Sequence, residues 1–161
     1  MLQVTEKELE RRLTFDNPWW VEGGNVPSFY RDLPHRDHFD PFLDQVSNRK
    51  LRRAVVLMGP RRVGKTVMLY QTIQRLLEQG VRRRAILYAP LDNPVYMGLA
   101  LEKMLHMLSE AAEEDDERSI EYVFFDEIQY LKDWEIHLKS LVDSYPDIKF
   151  VVSGSAAAAL R

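Results

Sequence analysis

The chain has 161 residues, which is enough for one domain with a substantial core and hardly enough for two. Hydrophobic residues make up 45% and charged residues 29%, as in ordinary globular proteins, and a net charge of -3 argues against a generally basic nucleic-acid binder. The absence of cysteine excludes disulfides and thiolate metal sites, and the charged start and lack of long apolar runs predict a cytoplasmic protein without a membrane anchor.

Residues 1–50 are predicted to form an N-terminal extension of helices and loops that packs on a core formed by residues 51–161. Thr5 with Glu8 predicts a capping box at the start of a short helix. The loop Asn17-Pro18-Trp19-Trp20 follows. Its two large aromatic residues could grip a partner or an adenine, but we expect them to fold back on the core because they bring so much apolar area.

Two features of the later extension bear on its structure. Asp40 followed by Pro41 predicts the N-cap and first position of another helix. His35 and His38 flank Asp37, which suggests a metal site, but further ligands at a recognised spacing are lacking. We therefore expect a polar loop there.

The first strand is predicted from the apolar run that begins at Ala54 and ends at Met58. The loop after it satisfies the phosphate-binding pattern G-x-x-x-x-G-K-[ST] at every fixed position. In this pattern the glycines let successive backbone N–H groups point at one phosphate, and the following helix adds the positive end of its dipole. The predicted nucleotide-binding residues are Gly59, Pro60, Arg61, Arg62, Val63, Gly64, Lys65 and Thr66.

Two side chains of this loop have predicted chemical roles. Lys65 is placed to reach the β and γ phosphates of ATP, and the Thr66 hydroxyl to ligate Mg²⁺. A basic turn that binds nothing is the alternative, and the strand and helix patterns on either side of the loop argue against it.

Helices and strands alternate through the rest of the chain. A helix with an apolar face follows the loop and stops at Gly80; a second strand covers residues 84–91, and a second helix runs from Met97 to Leu108. Asp133 is predicted to cap a further helix, and residues 148–152 form a fourth strand. This alternation predicts an α/β fold with a parallel, doubly wound sheet.

Polar residues follow the third and fourth predicted strands. Asp126 and Glu127 come directly after the strand Tyr122–Phe125, at the edge of a parallel sheet where ligands bind. Asp126 could hold Mg²⁺, and Glu127 could activate a water against the γ-phosphate. Ser153, after the fourth strand, could hydrogen-bond the γ-phosphate or that water. Helix capping for the acidic pair and a plain turn for the serine are the structural alternatives.

The motifs MGPRRVGKT, VFFDEIQYLKDW and VVSGSAA together resemble those of the AAA-type P-loop ATPases, specifically prokaryotic ATP-binding proteins with an AAA_14-like domain. The resemblance covers most of residues 14–161 and implies a P-loop three-layer sandwich. It makes Gly59 to Thr66 the Walker A motif, Asp126 and Glu127 the Walker B pair and Ser153 the sensor 1 residue, where the family usually has Thr. Asp92 matches a family acid to which we assign no role.

Length is the larger departure from the family. The family fold adds a fifth strand, a helical lid and usually a C-terminal domain, so the resemblance implies that this chain is incomplete at its C-terminal end. We expect ATP binding, and Mg²⁺-dependent hydrolysis to ADP and phosphate in an intact parent protein. The truncated chain itself could be inactive, and no arginine finger can be assigned.

Other functions remain open at this stage. The chain could be a nucleotide-dependent switch without significant turnover, or a small P-loop kinase, although no acceptor pocket or Arg-rich lid is evident. Basic residues around positions 49–53 and 82–84 could touch DNA, but such runs are usually solvated. A bare sheet edge beside the first strand could favour self-association, and a protein partner is possible.

Overall fold

The computed structural model describes residues 5–60, 63–97, 100–113 and 119–155. Its centre is a four-stranded parallel sheet in the order β1-β4-β3-β2. This confirms the predicted α/β class and parallel sheet. The strands are β1 Val55–Gly59, β2 Ile86–Pro90, β3 Tyr122–Asp126 and β4 Lys149–Ser155.

Seven helices and three short 3₁₀ turns lie in the described residues. The helices are α1 Glu6–Asp16, α2 Ser28–Arg31, α3 Phe39–Ser47, α4 Lys65–Glu78, α5 Pro94–Met97, α6 Leu101–Glu113 and α7 Trp134–Ser144. The 3₁₀ turns are Pro18–Trp20, Arg83–Ala85 and Ile128–Tyr130.

Helices cover both faces of the sheet. Alternate residues of each strand point to opposite faces, so each face presents apolar side chains to the helices on its side. Leu87 and Ala89 of β2 pack on one side with α1, α6 and α7. Ile86 and Tyr88 pack on the other with α4 and α3. β3 and β4 are consequently buried along their length and β2 nearly so, whereas only Val55 of β1 is buried. The molecule has the three layers that the resemblance implied.

The N-terminal segment closes the outer edge of β2 with side-chain hydrogen bonds. The Asn17 amide pairs with both backbone groups of Tyr88: Nδ2 donates to its carbonyl at 2.9 Å, and Oδ1 accepts from its N–H at 2.7 Å. The indoles of Trp19 and Trp20 both donate to the Ile86 carbonyl. Trp19 is fully buried, so the expectation that this loop folds back on the core is confirmed.

The opposite edge of the sheet differs. Within the described residues no strand pairs with the outer side of β1, and Val56 is 45% exposed there. Self-association through this edge stays a prediction.

Several element boundaries differ from the sequence predictions. Thr5 does cap α1, accepting from the Glu8 N–H at 3.1 Å. Asp40 is not an N-cap, because α3 begins one residue earlier, at Phe39. Met97 ends the short helix α5 and is half exposed, so the apolar pattern from Met97 to Leu108 merged two helices into one.

Candidate functional site

The phosphate loop connects β1 to α4. β1 ends at Gly59, and α4 begins at Lys65 after Gly64, whose φ of 85° lies in the left-handed region. A side chain at Gly64 would be strained by that φ, which explains why the pattern requires glycine there. Arg61 and Arg62, predicted to belong to this loop, lie outside the described residues.

Lys65 points its ammonium group back across the loop. Nζ donates to the Gly59 carbonyl at 3.0 Å and to the Pro60 carbonyl, and only 8% of the residue is exposed. An ammonium group has three donors, so one remains beyond these two contacts. The lysine is therefore held at the mouth of the loop as a buried cation.

Asp126 is bound by hydroxyl groups from three different elements. Thr66 Oγ1 on α4 and the Tyr88 hydroxyl on β2 each donate to Oδ2 at 2.7 Å, and Ser153 Oγ on β4 donates to Oδ1. The carboxylate is 3% exposed, and no basic group of the described residues forms an ion pair with it. Thr66 and Asp126, predicted as metal ligands, are thus in direct contact.

Glu127 leaves the strand in a different direction from Asp126. Its φ of 58° and ψ of 49° place it in the left-handed region, which is uncommon for a residue with a side chain. It is partly exposed, and its carboxylate accepts a hydrogen bond from Gln129 Nε2. The two acidic residues therefore have distinct environments, one closed and one open to solvent.

Ser153 lies inside β4 rather than after the strand, and it is fully buried. Its hydroxyl donates to Asp126 and accepts from the Glu127 N–H at 3.3 Å. To donate a hydrogen bond to a phosphate, the Ser153 hydroxyl would have to give up its bond to Asp126. Its sensor role therefore stays a prediction. Gly154 follows, where an added Cβ would lie 3.0 Å from Ile128 and 3.1 Å from Gln129.

Sequence reasoning missed three residues of this site. In the sequence Tyr88 is one residue of an apolar strand pattern, and Gln129 is one residue of the motif around Asp126. Arg36, in the loop before α3, lies beside the phosphate loop: a Cβ at Gly64 would be 3.0 Å from its Nε. Only the register of β2 against β3 and the path of the N-terminal loop could have indicated these contacts.

Burial controls the ionisation of Tyr88. Removal from water raises its pKa well above the ordinary value, and the neighbouring charge of Asp126 raises it further. The hydroxyl therefore stays protonated and acts as a donor.

The remaining predicted polar sites make few contacts. Asp92 is exposed after β2. His35, Asp37 and His38 lie in an exposed loop before α3. Among the described residues no group of three His, Cys, Asp or Glu side chains could hold a metal ion. No helix in the described parts of the chain has the length and apolar character needed to cross a membrane.

Comparison with known proteins gave a family match and several structural neighbours. The family model AAA_14, described as an AAA domain, matches residues 51–161. No curated protein sequence gave a significant match.

Three solved structures illustrate the likeness of fold. Replication initiator DnaA bound to AMPPCP and single-stranded DNA is 13% identical with a TM-score of 0.51, over 78% of this chain and 41% of that one. AMPPCP-bound DnaA from Aquifex aeolicus is 14% identical with a TM-score of 0.50, over the same shares. The S. cerevisiae Hsp104:casein complex in its extended conformation is 19% identical with a TM-score of 0.54, over 84% and 26%. The present chain thus spans less than half of each.

Proposed function

The chain belongs to the AAA domain family of P-loop ATPases, and from that membership and the site geometry we propose that it binds ATP with Mg²⁺ and, in an intact parent protein, hydrolyses it to ADP and phosphate. The observation that supports this most directly is the 2.7 Å contact between Thr66 Oγ1 and Asp126 Oδ2. It joins the phosphate loop to the end of β3 and brings together two oxygen groups of the kind that Mg²⁺ prefers.

The residues present fit the proposed ligand. Asp126 is a buried carboxylate that has no counter-cation among the described residues, and burying such a charge is costly unless it is paired. A divalent cation beside Thr66 and Asp126 would supply that charge. Gly64 and the N-terminus of α4, with Lys65 at its first position, provide the donors that phosphate groups need.

The proposed roles follow from these positions. Lys65 stabilises negative charge on the β and γ phosphates, and Thr66 and Asp126 hold the metal. Glu127, partly open to solvent, orients a water and accepts its proton. Ser153 fixes the Asp126 carboxylate relative to the Glu127 backbone by bonding to both. As a sensor it would contact the γ-phosphate. Bound Mg²⁺ neutralises developing charge on the phosphates, as in other enzymes of this class.

A second candidate is a nucleotide-dependent switch without significant turnover. Gln129 supports it, because its amide nitrogen holds the Glu127 carboxylate while its oxygen accepts from the Ser155 N–H at 3.1 Å. This bond occupies only one oxygen of the Glu127 carboxylate, but it restrains the group and makes it a weaker base towards a water. Tight Mg²⁺-dependent ATP binding with turnover near background would favour the switch.

Calorimetry of ATP binding with Mg²⁺ tests the binding function. We expect Lys65→Ala to weaken binding at least about 100-fold, because it removes a buried cation from the phosphate site. Lys132→Ala, at an exposed lysine, is the matched control and should bind as wild type does. Equal binding by both variants, with folding verified by circular dichroism, would refute the proposed site.

Phosphate release tests the enzyme function. Glu127→Gln should keep ATP binding and reduce turnover by about 100-fold or more, the usual contribution of a general base. Glu135→Gln, at an exposed position of α7, should leave turnover unchanged. Turnover that survives in Glu127→Gln would assign the base elsewhere.

Partners beyond the nucleotide are proposed more broadly. A groove at the amino ends of the strands, opposite the phosphate loop, is lined by Arg49, Arg52, Arg53 and Lys149, and it is the surface that suits DNA. One structural neighbour, DnaA, is bound to single-stranded DNA. Binding of a labelled single strand that falls steeply with salt, and falls further in Arg53→Ala, would support DNA contact. Self-association, a protein partner and a cytoplasmic location stay predictions.

A further inference from the structure

We propose that Tyr88 is a positioning residue for the metal-binding carboxylate of Asp126, and that the N-terminal segment fixes Tyr88 for this purpose through Asn17. The proposal rests on the proposed function of the site. It adds a residue outside the recognised motifs and links the N-terminal loop to the nucleotide-binding edge.

The register of the sheet places Tyr88 beside Asp126. Tyr88 lies opposite Phe124 on the neighbouring strand, and Asp126 is two residues further along β3. Residues related in this diagonal way share one face of the sheet and lie within reach of an aromatic side chain. The phenol spans this distance and donates to Asp126 Oδ2 at 2.7 Å.

One oxygen atom of Asp126 accepts hydrogen bonds from both Thr66 and Tyr88. Oδ2 receives the Thr66 hydroxyl from one side and the Tyr88 hydroxyl from another, while Ser153 occupies Oδ1. Donors on both oxygens of the carboxylate restrict its rotation. A metal-binding group is most effective when its neighbours hold it in place before the metal arrives.

Tyr88 is itself held by its neighbours in the sheet, by Asn17 and by a helix. Its two neighbours in β2, Leu87 and Ala89, lie opposite Val123 and Phe125 of β3, and the Asn17 amide binds both backbone groups of Tyr88 on the outer edge. Its ring packs against Tyr70 of α4, with ring centroids 4.6 Å apart. Tyr70 lies four residues after Thr66, on the same face of that helix, so one surface supports both donors to Asp126.

The structure also supplies a matched comparison. The Tyr96 hydroxyl donates to Asp16 at 2.6 Å, so it is another buried tyrosine bound to a buried aspartate, but one that does not contact the phosphate loop. Tyr88→Phe and Tyr96→Phe each remove one buried hydroxyl from a carboxylate. Only the first removal should affect metal binding.

The experiment is a titration of MgCl₂ against each variant with a fixed concentration of a fluorescent ATP analogue. We expect Tyr88→Phe to raise the half-saturating Mg²⁺ concentration about tenfold, the effect of losing one hydrogen bond to a charged group. Analogue binding in EDTA should change less than about twofold, since the phosphate loop is intact. In Tyr96→Phe the half-saturating Mg²⁺ concentration should equal that of wild type.

A purely structural role for Tyr88 would give a different result: Tyr88→Phe would lower the unfolding midpoint and leave the Mg²⁺ dependence unchanged, which would overturn the proposal. Asn17→Ala provides a second measurement. Because it releases the backbone of Tyr88, it should shift the Mg²⁺ dependence in the same direction, and no shift would overturn the part assigned to the N-terminal segment.

Failure of the proposed function would be recognised separately. Wild-type protein that binds no analogue at any Mg²⁺ concentration would reject the nucleotide site and the positioning role together. Wild-type protein that binds normally, with no change in Tyr88→Phe, would reject the positioning role alone. Unfolding of Tyr88→Phe, Asp126→Asn and the double variant then shows by non-additivity whether the two side chains interact.

Discussion

Asp16 and Asp126 are both buried aspartates that accept a hydrogen bond from a buried tyrosine, and they differ in what balances their charge. Asp16, 7% exposed at the end of α1, forms a two-point ion pair with Arg12. Asp126, 3% exposed, accepts only from hydroxyl groups among the described residues. The charge of the first carboxylate is balanced within the chain, whereas the second has no cation paired with it among the described residues, which supports the proposed Mg²⁺ site.

This difference supports the proposed functional role of Asp126 without reference to any motif, and it assigns Asp16 a structural role. Breaking a buried ion pair by removing one partner destabilises the fold, whereas a buried carboxylate without a counter-cation itself lowers stability unless a ligand binds. Sites kept for function often carry such a cost in stability. The comparison leads to predictions in which changes at the two aspartates have opposite consequences.

The largest effect is expected for Asp126→Asn. The substitution removes the charge that would hold Mg²⁺, so ATP turnover should fall at least about 100-fold. The unfolding midpoint should stay the same or rise, because a buried charge without a counter-cation is lost while an amide still bonds to the surrounding hydroxyls. Turnover assays and thermal unfolding measure the two quantities. A marked fall in stability would contradict the contrast with Asp16.

Asp16→Asn should have the reverse effect. It breaks the ion pair with Arg12 and weakens the bond from Tyr96, so we expect a loss of about 2 kcal/mol in the free energy of unfolding, less than for a fully buried pair because Arg12 is 32% exposed. Nucleotide binding should not change. Denaturant unfolding and calorimetry test this, and altered Mg²⁺ dependence would show that the two sites are coupled.

The contrast between these aspartates was only partly predictable from the sequence. The strand pattern and the acidic pair placed Asp126 at the ligand edge, because a parallel sheet aligns the carboxyl ends of its strands. The partner of Asp126 on β2 depends on strand register, which a hydrophobic pattern does not define. Asn17 binds a strand edge through its side chain, and no periodicity indicates that.

The backbone conformations of Glu127 and Ser153 also could not be predicted from the sequence. The left-handed conformation of Glu127 depends on the packing of the residues around it rather than on a preference of glutamate. Ser153 was expected after its strand because small polar residues favour turns, but hydrogen bonding to β1 continues to Ser155. Tertiary contacts decided both positions.

High pH should reduce the stability of the fold through both tyrosines that donate to the two aspartates. Burial raises the pKa of both Tyr88 and Tyr96 in the folded chain, whereas an unfolded tyrosine ionises near its ordinary pKa of about 10. The stabilising effect is therefore fully present below pH of about 10 and is lost as the pH rises towards the folded pKa, by up to about 1.4 kcal/mol per pH unit for each tyrosine.

Denaturant unfolding between pH of about 9 and 11 measures this slope. Tyr88→Phe and Tyr96→Phe should each reduce it, and Tyr130→Phe, at an exposed position, should not. A slope that responds to one buried tyrosine only would mean that the two tyrosine–aspartate contacts are not equivalent.

The smallest expected effect concerns Arg36, and it tests whether the chain supplies a second cation to the nucleotide site. Its guanidinium lies within 3.0 Å of the position a Gly64 side chain would take, on a loop that the recognised motifs do not include. Because Arg36 is exposed, solvent screens its charge, and Arg36→Ala should weaken ATP binding by about two- to fivefold. Calorimetry at low and high salt measures the change, and high salt should reduce it.

The control is Arg53→Ala, which removes an exposed arginine at the opposite end of the sheet. An equal loss in both variants would indicate a general effect of net charge, and Lys65 would then be the one cation of the described residues that acts at the phosphates.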